Sequence, residues 1–269
     1  SSVVGGNTYY YRVGVIKGGS ETIGNESIFV SYALTLASSS RDGTVKKLKS
    51  DSGEQIWSFD AEVGNVNNVA IDKDQGIYAS YQSSEVRKIN FVGEELWVNN
   101  DNTSLVFFVT ISPDGYVYTG GNDSTVRKFD SNDGFQMWSF SGHGNGVGAI
   151  DFDADGYVYS TSFDNTLKKL NPNSGSQIWS TYTPTNGSAD SIYSVAVDHI
   201  NEVIYVGKRY DAIYKYDLSG SSISGFNSSI SGSTNSLEVD DNGYLYAGGS
   251  DSKLRKLDPS GNEVWTFSG

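Results

Sequence analysis

Six lysines recur in this chain at one position of one phrase: Lys47, Lys88, Lys128, Lys169, Lys215 and Lys256, in steps of 41, 40, 41, 46 and 41 residues. Six ammonium groups at equivalent positions could ring an anionic ligand. The competing reading is a brace, in which each Lys stands one strand away from an acid that ends an apolar run and pairs with it. The run-ending residues are Asp72, Ser112, Asp153, Asp198 and Asp240. A Lys in every copy is what a structural rule produces, and exposed pairs contribute only about 0–1 kcal/mol each. Bracing is the stronger reading.

A second cluster is acidic. Asp151-Phe-Asp153-Ala-Asp155-Gly156 carries the alternate carboxylates that open a calcium loop and can converge on one hard cation. The ninth and twelfth positions of that loop are Tyr159 and Ser162, so its closing ligands are missing. The same place in other copies is an ordinary hairpin turn. The expectation is therefore no cofactor, with calcium at Asp151, Asp153 and Asp155 as the minor alternative. For nucleophilic chemistry there are two His, His143 and His199, and no Ser/His/Asp arrangement is visible. Two placed carboxylates of the glycosidase kind cannot be picked out of 32 acids. The chain reads as a non-enzyme.

Recognition remains. Arg41, Tyr81, Asn122, Phe163, Lys208, Arg209 and Tyr210 lie between the second and third apolar runs of their copies. His143 lies between copies, in Ser141-Gly-His-Gly-Asn-Gly146. Aromatic rings with Asn and Arg at a concave mouth suit a sugar or a peptide, by stacking and hydrogen bonding.

The elements that must position these residues are short strands. Each copy holds four apolar runs, best seen in Leu105–Ile111, Gly115–Thr119, Thr125–Phe129 and Phe135–Phe140. Asp-Gly and Asn-Gly turns separate the first two runs, because glycine accepts positive φ in a tight hairpin. The second run pairs an aliphatic with an aromatic, as in Val117-Tyr118 and Val158-Tyr159, which sends one side chain to each face. Trp57, Trp97, Trp138, Trp179 and Trp265 close five copies, and Phe226 closes the other. A period near 40 residues with four strands per copy predicts an all-β, six-bladed β-propeller of four-stranded antiparallel blades, preceded by a short β-hairpin segment. The blades fall at about 27–60, 64–99, 104–140, 146–182, 190–226 and 232–267. The propeller is expected over 33–269, with the inner strand of blade one drawn from Ser27–Ser31. Blade five departs most, with Tyr214 where other copies have Lys or Arg and a longer leading loop, Thr183–Ser191.

Composition excludes some partners. With 32 Asp and Glu against 19 Lys and Arg the net charge is −13, spread along the chain. Nucleic acid needs a basic stripe to displace counterions, and anionic membrane surfaces need one too. No apolar run approaches the roughly 20 residues that span a bilayer. There is no Cys, so disulfides and thiolate metal sites are absent.

Two resemblances add to this. The closing phrases Ser52-Gly-Glu-Gln-Ile-Trp57, Asp133-Gly-Phe-Gln-Met-Trp138, Ser174-Gly-Ser-Gln-Ile-Trp179 and Ser260-Gly-Asn-Glu-Val-Trp265 resemble the Gly-x-x-x-Trp docking motif of quinoprotein-like propellers. Leu36–Val45 is similar to a WD40 strand pair. That likeness spans about 30–267 and implies a Trp packed between adjacent blades. The family includes quinone-cofactor dehydrogenases and non-enzymatic outer-membrane assembly scaffolds. The dehydrogenases hold calcium and quinone in an eight-bladed ring, and no position here matches their ligands, so that activity is disfavoured. Residues 1–32 fall outside the repeat. Asn7–Ile16, a Gly18–Thr22 turn and Ser27–Val30 read as a two-stranded hairpin resembling the last two strands of a fibronectin type III domain. By resemblance the chain is expected to be a binding or adhesion module of an extracellular, cell-surface or virion tail protein, holding a protein or glycan. A scaffold within a larger assembly is the alternative, and a surface-carbohydrate hydrolase the less favoured one.

Overall fold

A computed structural model describes residues 21–23, 26–28, 35–183, 191–209, 213–226, 230 and 232–268. Every regular element among them is a β-strand. A two-stranded sheet comes first, β1 (Glu21–Ile23) against β2 (Glu26–Ile28), with Ile23 opposite Glu26. Six further antiparallel sheets of three or four strands follow, the blades of a β-propeller. Blade one is β3 (Thr35–Ser39), β4 (Thr44–Lys49) and β5 (Gln55–Asp60). Blade two is β6 (Val66–Ile71), β7 (Ile77–Tyr81), β8 (Val86–Ile89) and β9 (Glu95–Asn99). Blade three is β10 (Val106–Ile111), β11 (Val117–Gly121), β12 (Val126–Phe129) and β13 (Gln136–Phe140). Blade four is β14 (Val147–Phe152), β15 (Val158–Ser162), β16 (Thr166–Leu170) and β17 (Gln177–Tyr182). Blade five is β18 (Ile192–Asp198), β19 (Val203–Lys208) and β20 (Ile213–Asp217). Blade six is β21 (Thr234–Val239), β22 (Leu245–Gly249), β23 (Lys253–Leu257) and β24 (Glu263–Ser268). The chain divides into two compact units after Ile111.

Two expectations meet a different arrangement among the described residues. Ser27 and Ile28, expected in the inner strand of blade one, pair with Thr22 and Glu21, and residues 29–31 of that stretch lie outside the described residues. Asn7–Ile16 lies outside the described residues. Blade five has no regular fourth strand among the described residues. Ser222 makes one bridge to Tyr216, and Ile223 N donates to Lys215 O at 2.8 Å. Gly225 then turns away with φ +87.

The second strands β7, β11, β15 and β19 are buried along their whole length, as strands whose side chains on both faces are packed. In the first unit the core joins Ala37, Val45, Val66, Val69, Ile77 and Tyr81. In the second, Leu167 of blade four packs with Ile192, Val195 and Ile204 of blade five, and Tyr205 of blade five with Leu237 and Leu245 of blade six. Backbone groups stitch neighbours as well. Asn67 Nδ2 donates to Val106 O at 2.8 Å in the first unit, and Ser194 Oγ to Thr234 O at 3.0 Å in the second.

Two bulges recur. One sits near the start of the inner strand, after Val66, Val147, Ile192 and Thr234. The other sits in the outer strand. Lys47 faces Trp57 but Leu48 faces Gln55, so Ile56 is the extra residue. Leu96, Met137, Ile178 and Val264 occupy the same bulged place in their blades. These five aliphatics are 45, 54, 47, 49 and 52% exposed, since a bulge turns the extra side chain out of the ladder.

Candidate functional site

The repeated Lys takes two local arrangements. In blades two, four and six its Nζ turns back to the acid of its own inner strand, Lys88 to Asp72 at 3.9 Å, Lys169 to Asp153 at 3.1 Å and Lys256 to Asp240 at 3.1 Å. The same carboxylates accept Tyr78, Tyr159 and Tyr246 hydroxyls at 2.9, 2.9 and 3.2 Å. In blades one, three and five Nζ reaches forward to a backbone carbonyl of the next blade, Phe91, Pro172 and Pro259, at 3.3, 3.0 and 2.9 Å. The uniform brace is thus corrected, with a local reason in two blades. Ser112 replaces the acid in blade three, and Asp198 in blade five is already filled by Ile200 N, Asn201 N and Asn201 Nδ2. Burial pushes the Lys47, Lys128 and Lys215 ammonium groups below their usual range, with Asp72, Asp114 and Asp198 only partly opposing it. Lys256 is held above that range by Tyr246 and Asp240. Five of these ammonium groups, from Lys88 on, lie 4.9–5.5 Å from the ring centre of Tyr78, Tyr118, Tyr159, Tyr205 and Tyr246.

The Trp is an inter-blade dock. Trp57, Trp138 and Trp179 donate Nε1 to Phe91 O, Pro172 O and Leu218 O of the following blade at 3.0, 3.0 and 3.2 Å. Each indole then lies on a glycine of that blade, Gly93, Gly175 or Gly220, all at positive φ. A Cβ on Gly175 would lie 2.6 Å from Trp138 Cε3, so the turn needs glycine for both backbone and space.

The acidic cluster does not form a cage. Asp153 Oδ1 accepts Asp155 N and Tyr157 N, and its Oδ2 takes Tyr159 and Lys169. Asp151 Oδ2 points instead to Val197 N of blade five, at 2.7 Å, and Asp155 is exposed. Both oxygens of Asp153 already accept hydrogen bonds, so Asp151, Asp153 and Asp155, the residues of the calcium alternative, are engaged separately. Among the described residues no group of three His, Cys, Asp or Glu could hold a metal.

His143 holds a network that the sequence reading missed. Its Nε2 is 2.8 Å from Ser160 Oγ, its Nδ1 is 3.1 Å from Thr166 Oγ1, and Asp164 Oδ2 lies 3.5 Å from Nδ1. Thr166 uses its proton on Asp164 Oδ1 at 2.6 Å. Its oxygen must therefore accept from Nδ1–H, which leaves Nε2 to accept from the Ser160 hydroxyl. The order Ser, His, Asp is that of a nucleophile, base and orienting acid. Ser160 is nevertheless fully buried within β15 and His143 is 5% exposed, so no substrate carbonyl can approach. The network pins the loop before blade four to the β15–β16 turn, and Gly144 N also donates to Asp164 Oδ2 at 2.6 Å. A ligand role for His143 is corrected by that burial.

Burial depresses the His143 pKa, with Asp164 opposing. Burial alone would raise Asp164, but hydrogen bonds from His143, Thr166 and Gly144 carry it well below the carboxylate range. The stability contributed by neutral His143 is present above the unfolded value of about 6.5 and is lost as pH falls through the lower folded value. Thermal midpoints should therefore fall between pH 7 and pH 5 more steeply in the parent chain than in His143→Gln. Equal slopes would place the acid sensitivity elsewhere.

The remaining loop residues scatter in environment. In the first unit Arg41 is exposed, but Tyr81 is fully buried with its ring under Arg87, 5.7 Å from ring centre to guanidinium. In the second unit Asn122 is exposed and Arg209 half-buried. Lys208 is fully buried, its Nζ 5.2 Å from the Tyr214 ring centre. Tyr81 and Lys208 are buried because they are the last residues of β7 and β19, strands covered along their whole length. Both are corrected as ligand contacts. Tyr210 lies outside the described residues. Phe163 does find a partner. Its ring meets Tyr193 of blade five edge-on at 5.2 Å, and neither side chain is buried.

Tyr193 and Gly148 are the residues that sequence reasoning missed here. Both are the extra residue of an inner-strand bulge. A Cβ on Gly148 would sit 2.5 Å from Ile192 O and 3.2 Å from the Phe163 ring, so glycine opens the slot that Phe163 fills. The available signal was positional, since the matching place holds Asn67 and Asn235 in blades two and six.

Comparison with known proteins follows the repeat. A family model described as outer membrane protein assembly factor BamB matches residues 122–268, more than half of the chain. A search of curated proteins finds no match. With blades of this topology and a Trp docked on the next blade's glycine, the chain belongs to that quinoprotein-like repeat family of β-propellers.

Proposed function

We propose that this chain is a non-enzymatic binding module that presents loops of the propeller face to a glycan or protein partner. The observation that carries the reading is the Phe163–Tyr193 pair. Two aromatic rings from adjacent blades meet at 5.2 Å without being buried, on a turn kept in place by the His143 network. Half-exposed rings of this kind supply contact area at low entropic cost and tolerate the apolar face of a sugar or a peptide side chain. Arg209 continues the same edge, its N–H bonded to Ser191 O two residues before Tyr193. The likeness of residues 7–30 to a fibronectin type III hairpin supports an extracellular, cell-surface or virion setting, and the acidic charge fits partners other than nucleic acid.

A second reading has its own support. The family description names an assembly factor, and each regular outer strand bears an exposed aliphatic at its bulge. A scaffold whose partners pack on that outer edge would use those side chains and leave the loops idle.

A glycan array and whole-cell binding screen of the parent chain against a Phe163→Ala/Tyr193→Ala variant tests both. Loss of about tenfold or more in affinity supports the loop reading. Binding unaffected by that variant but lost in Met137→Ser/Ile178→Ser favours the scaffold. No binding by the parent chain to any surface overturns the adhesion reading.

A further inference from the structure

We propose that Asn145 is a site of spontaneous succinimide formation, which converts it to aspartate and isoaspartate in the folded protein. The chain has three Asn-Gly steps, Asn145-Gly146, Asn186-Gly187 and Asn242-Gly243. Glycine leaves the following amide nitrogen unhindered, so such steps are where this chemistry is easiest. Asn186-Gly187 lies outside the described residues, and the other two differ in what holds that nitrogen.

At Asn242 the Gly243 N–H is used by the turn, donating to Asp240 O at 2.9 Å. At Asn145 the Gly146 N–H donates to the side-chain oxygen of Asn145 itself, at 2.8 Å. The nucleophile and the carbonyl it must attack are thus already in contact. The flanking backbone is fixed in that arrangement, because Asn145 O accepts Ser162 Oγ at 2.8 Å and Gly146 O accepts Phe163 N at 2.9 Å. Asn145 is exposed, so water reaches the product. Pre-positioning of this sort raises the rate of an intramolecular attack.

The step balances with water alone. Gly146 N loses its proton and bonds to Asn145 Cγ, the bond from Cγ to the amide nitrogen breaks, and that nitrogen leaves as ammonia with the proton. Water then opens the ring at either carbonyl, giving aspartate or isoaspartate. Both add a carboxylate near Asp164, which already accepts Gly144 N. Isoaspartate also lengthens the backbone by one carbon beside the anchors on Ser162 and Phe163.

The test is incubation of the full chain at pH 8 and 37 °C, followed by peptide mass spectrometry for the gain of about one mass unit and by enzymatic isoaspartyl methylation. In the native chain the Asn145 peptide should convert about threefold or more faster than the Asn242 peptide. In urea the two should convert at comparable rates, because the fold no longer chooses between them. Asn145→Gln should abolish the fast signal and leave the Asn242 signal in place. A native Asn145 rate equal to or below that of Asn242, or a native ratio no higher than the ratio in urea, overturns the proposal.

Discussion

Gly175→Ala should lower the thermal midpoint by roughly 6–12 °C, while Gly156→Ala in the same blade lowers it by only a few degrees. Both glycines have positive φ, +69 and +81, so both variants carry backbone strain of about 1–2 kcal/mol. The difference is what the new Cβ meets. Nothing lies within 4 Å of the one at Gly156, whereas the one at Gly175 comes within 2.6–3.2 Å of three ring atoms of Trp138. Trp138 cannot retreat without breaking its 3.0 Å hydrogen bond to Pro172 O. Losing that bond and the stacked contact adds about 1–2 kcal/mol, for a total near 3 kcal/mol. At roughly 2–4 °C per kcal/mol for a domain of this size, the two variants are readily told apart by calorimetry. Midpoints within two or three degrees of each other would mean that the Trp–Gly contact is incidental to blade docking.

The acid of the inner strand should behave as an exchangeable part. Asp153→Asn keeps the size of the side chain but turns an amide donor toward Lys169 and the Tyr159 hydroxyl, both of which are donors. A half-buried ammonium then loses its carboxylate, which costs roughly 1–3 kcal/mol. The reverse change is available in blade three. There Ser112 stands in place of the acid, and the buried Tyr118 hydroxyl has no hydrogen-bond partner among the described residues. Ser112→Asp should supply Tyr118 and Lys128 with the acceptor that Tyr159 and Lys169 have, and stabilise the chain by about 1 kcal/mol. The Asp114 carboxylate, which accepts from Ser112 Oγ, must then turn outward to the exposed position that Asp155 holds beside Asp153. Thermal or urea unfolding of the two variants checks this. A destabilised Ser112→Asp would show that the forward-reaching Lys128 geometry cannot switch.

The strands of this fold were legible because their punctuation is chemical. Asp-Gly and Asn-Gly turns, an aliphatic-Tyr pair in the second strand and a closing Trp mark each blade, and the regular elements fall on them to within a residue or two. Where the punctuation fails, reading fails with it. Ahead of blade one no such mark separates Ser27–Ser31 from Leu34–Ser38 in the sequence, and Glu26–Ile28 pairs with Glu21–Ile23. Blade five places Phe226 eleven residues after Lys215, while each Trp stands nine or ten after its Lys, and the regular fourth strand is lost. Phe226 still reaches the Tyr205 ring at 5.2 Å, as Trp does elsewhere, so the packing role outlives the strand. The candidate site was harder. Phe163 could be placed on a loop, but Tyr193 meets it only through a bulge, and a bulge is set by pairing with another strand rather than by local residue type. Lys208, Tyr81 and His143 looked like loop residues by position, and their burial depends on neighbours distant in sequence.

The outer-strand bulges have a consequence for how such a chain can grow. A flat, apolar last strand is a template for any passing strand, and in a newly duplicated gene each extra copy would add another template. Here the guard against that is written inside the repeat itself, at Ile56, Leu96, Met137, Ile178 and Val264, because the extra residue breaks the regular spacing that an incoming strand needs. A repeat inserted or deleted by unequal recombination carries its own protection with it. Copy number is therefore free to drift without each new blade first having to evolve a defence against aggregation.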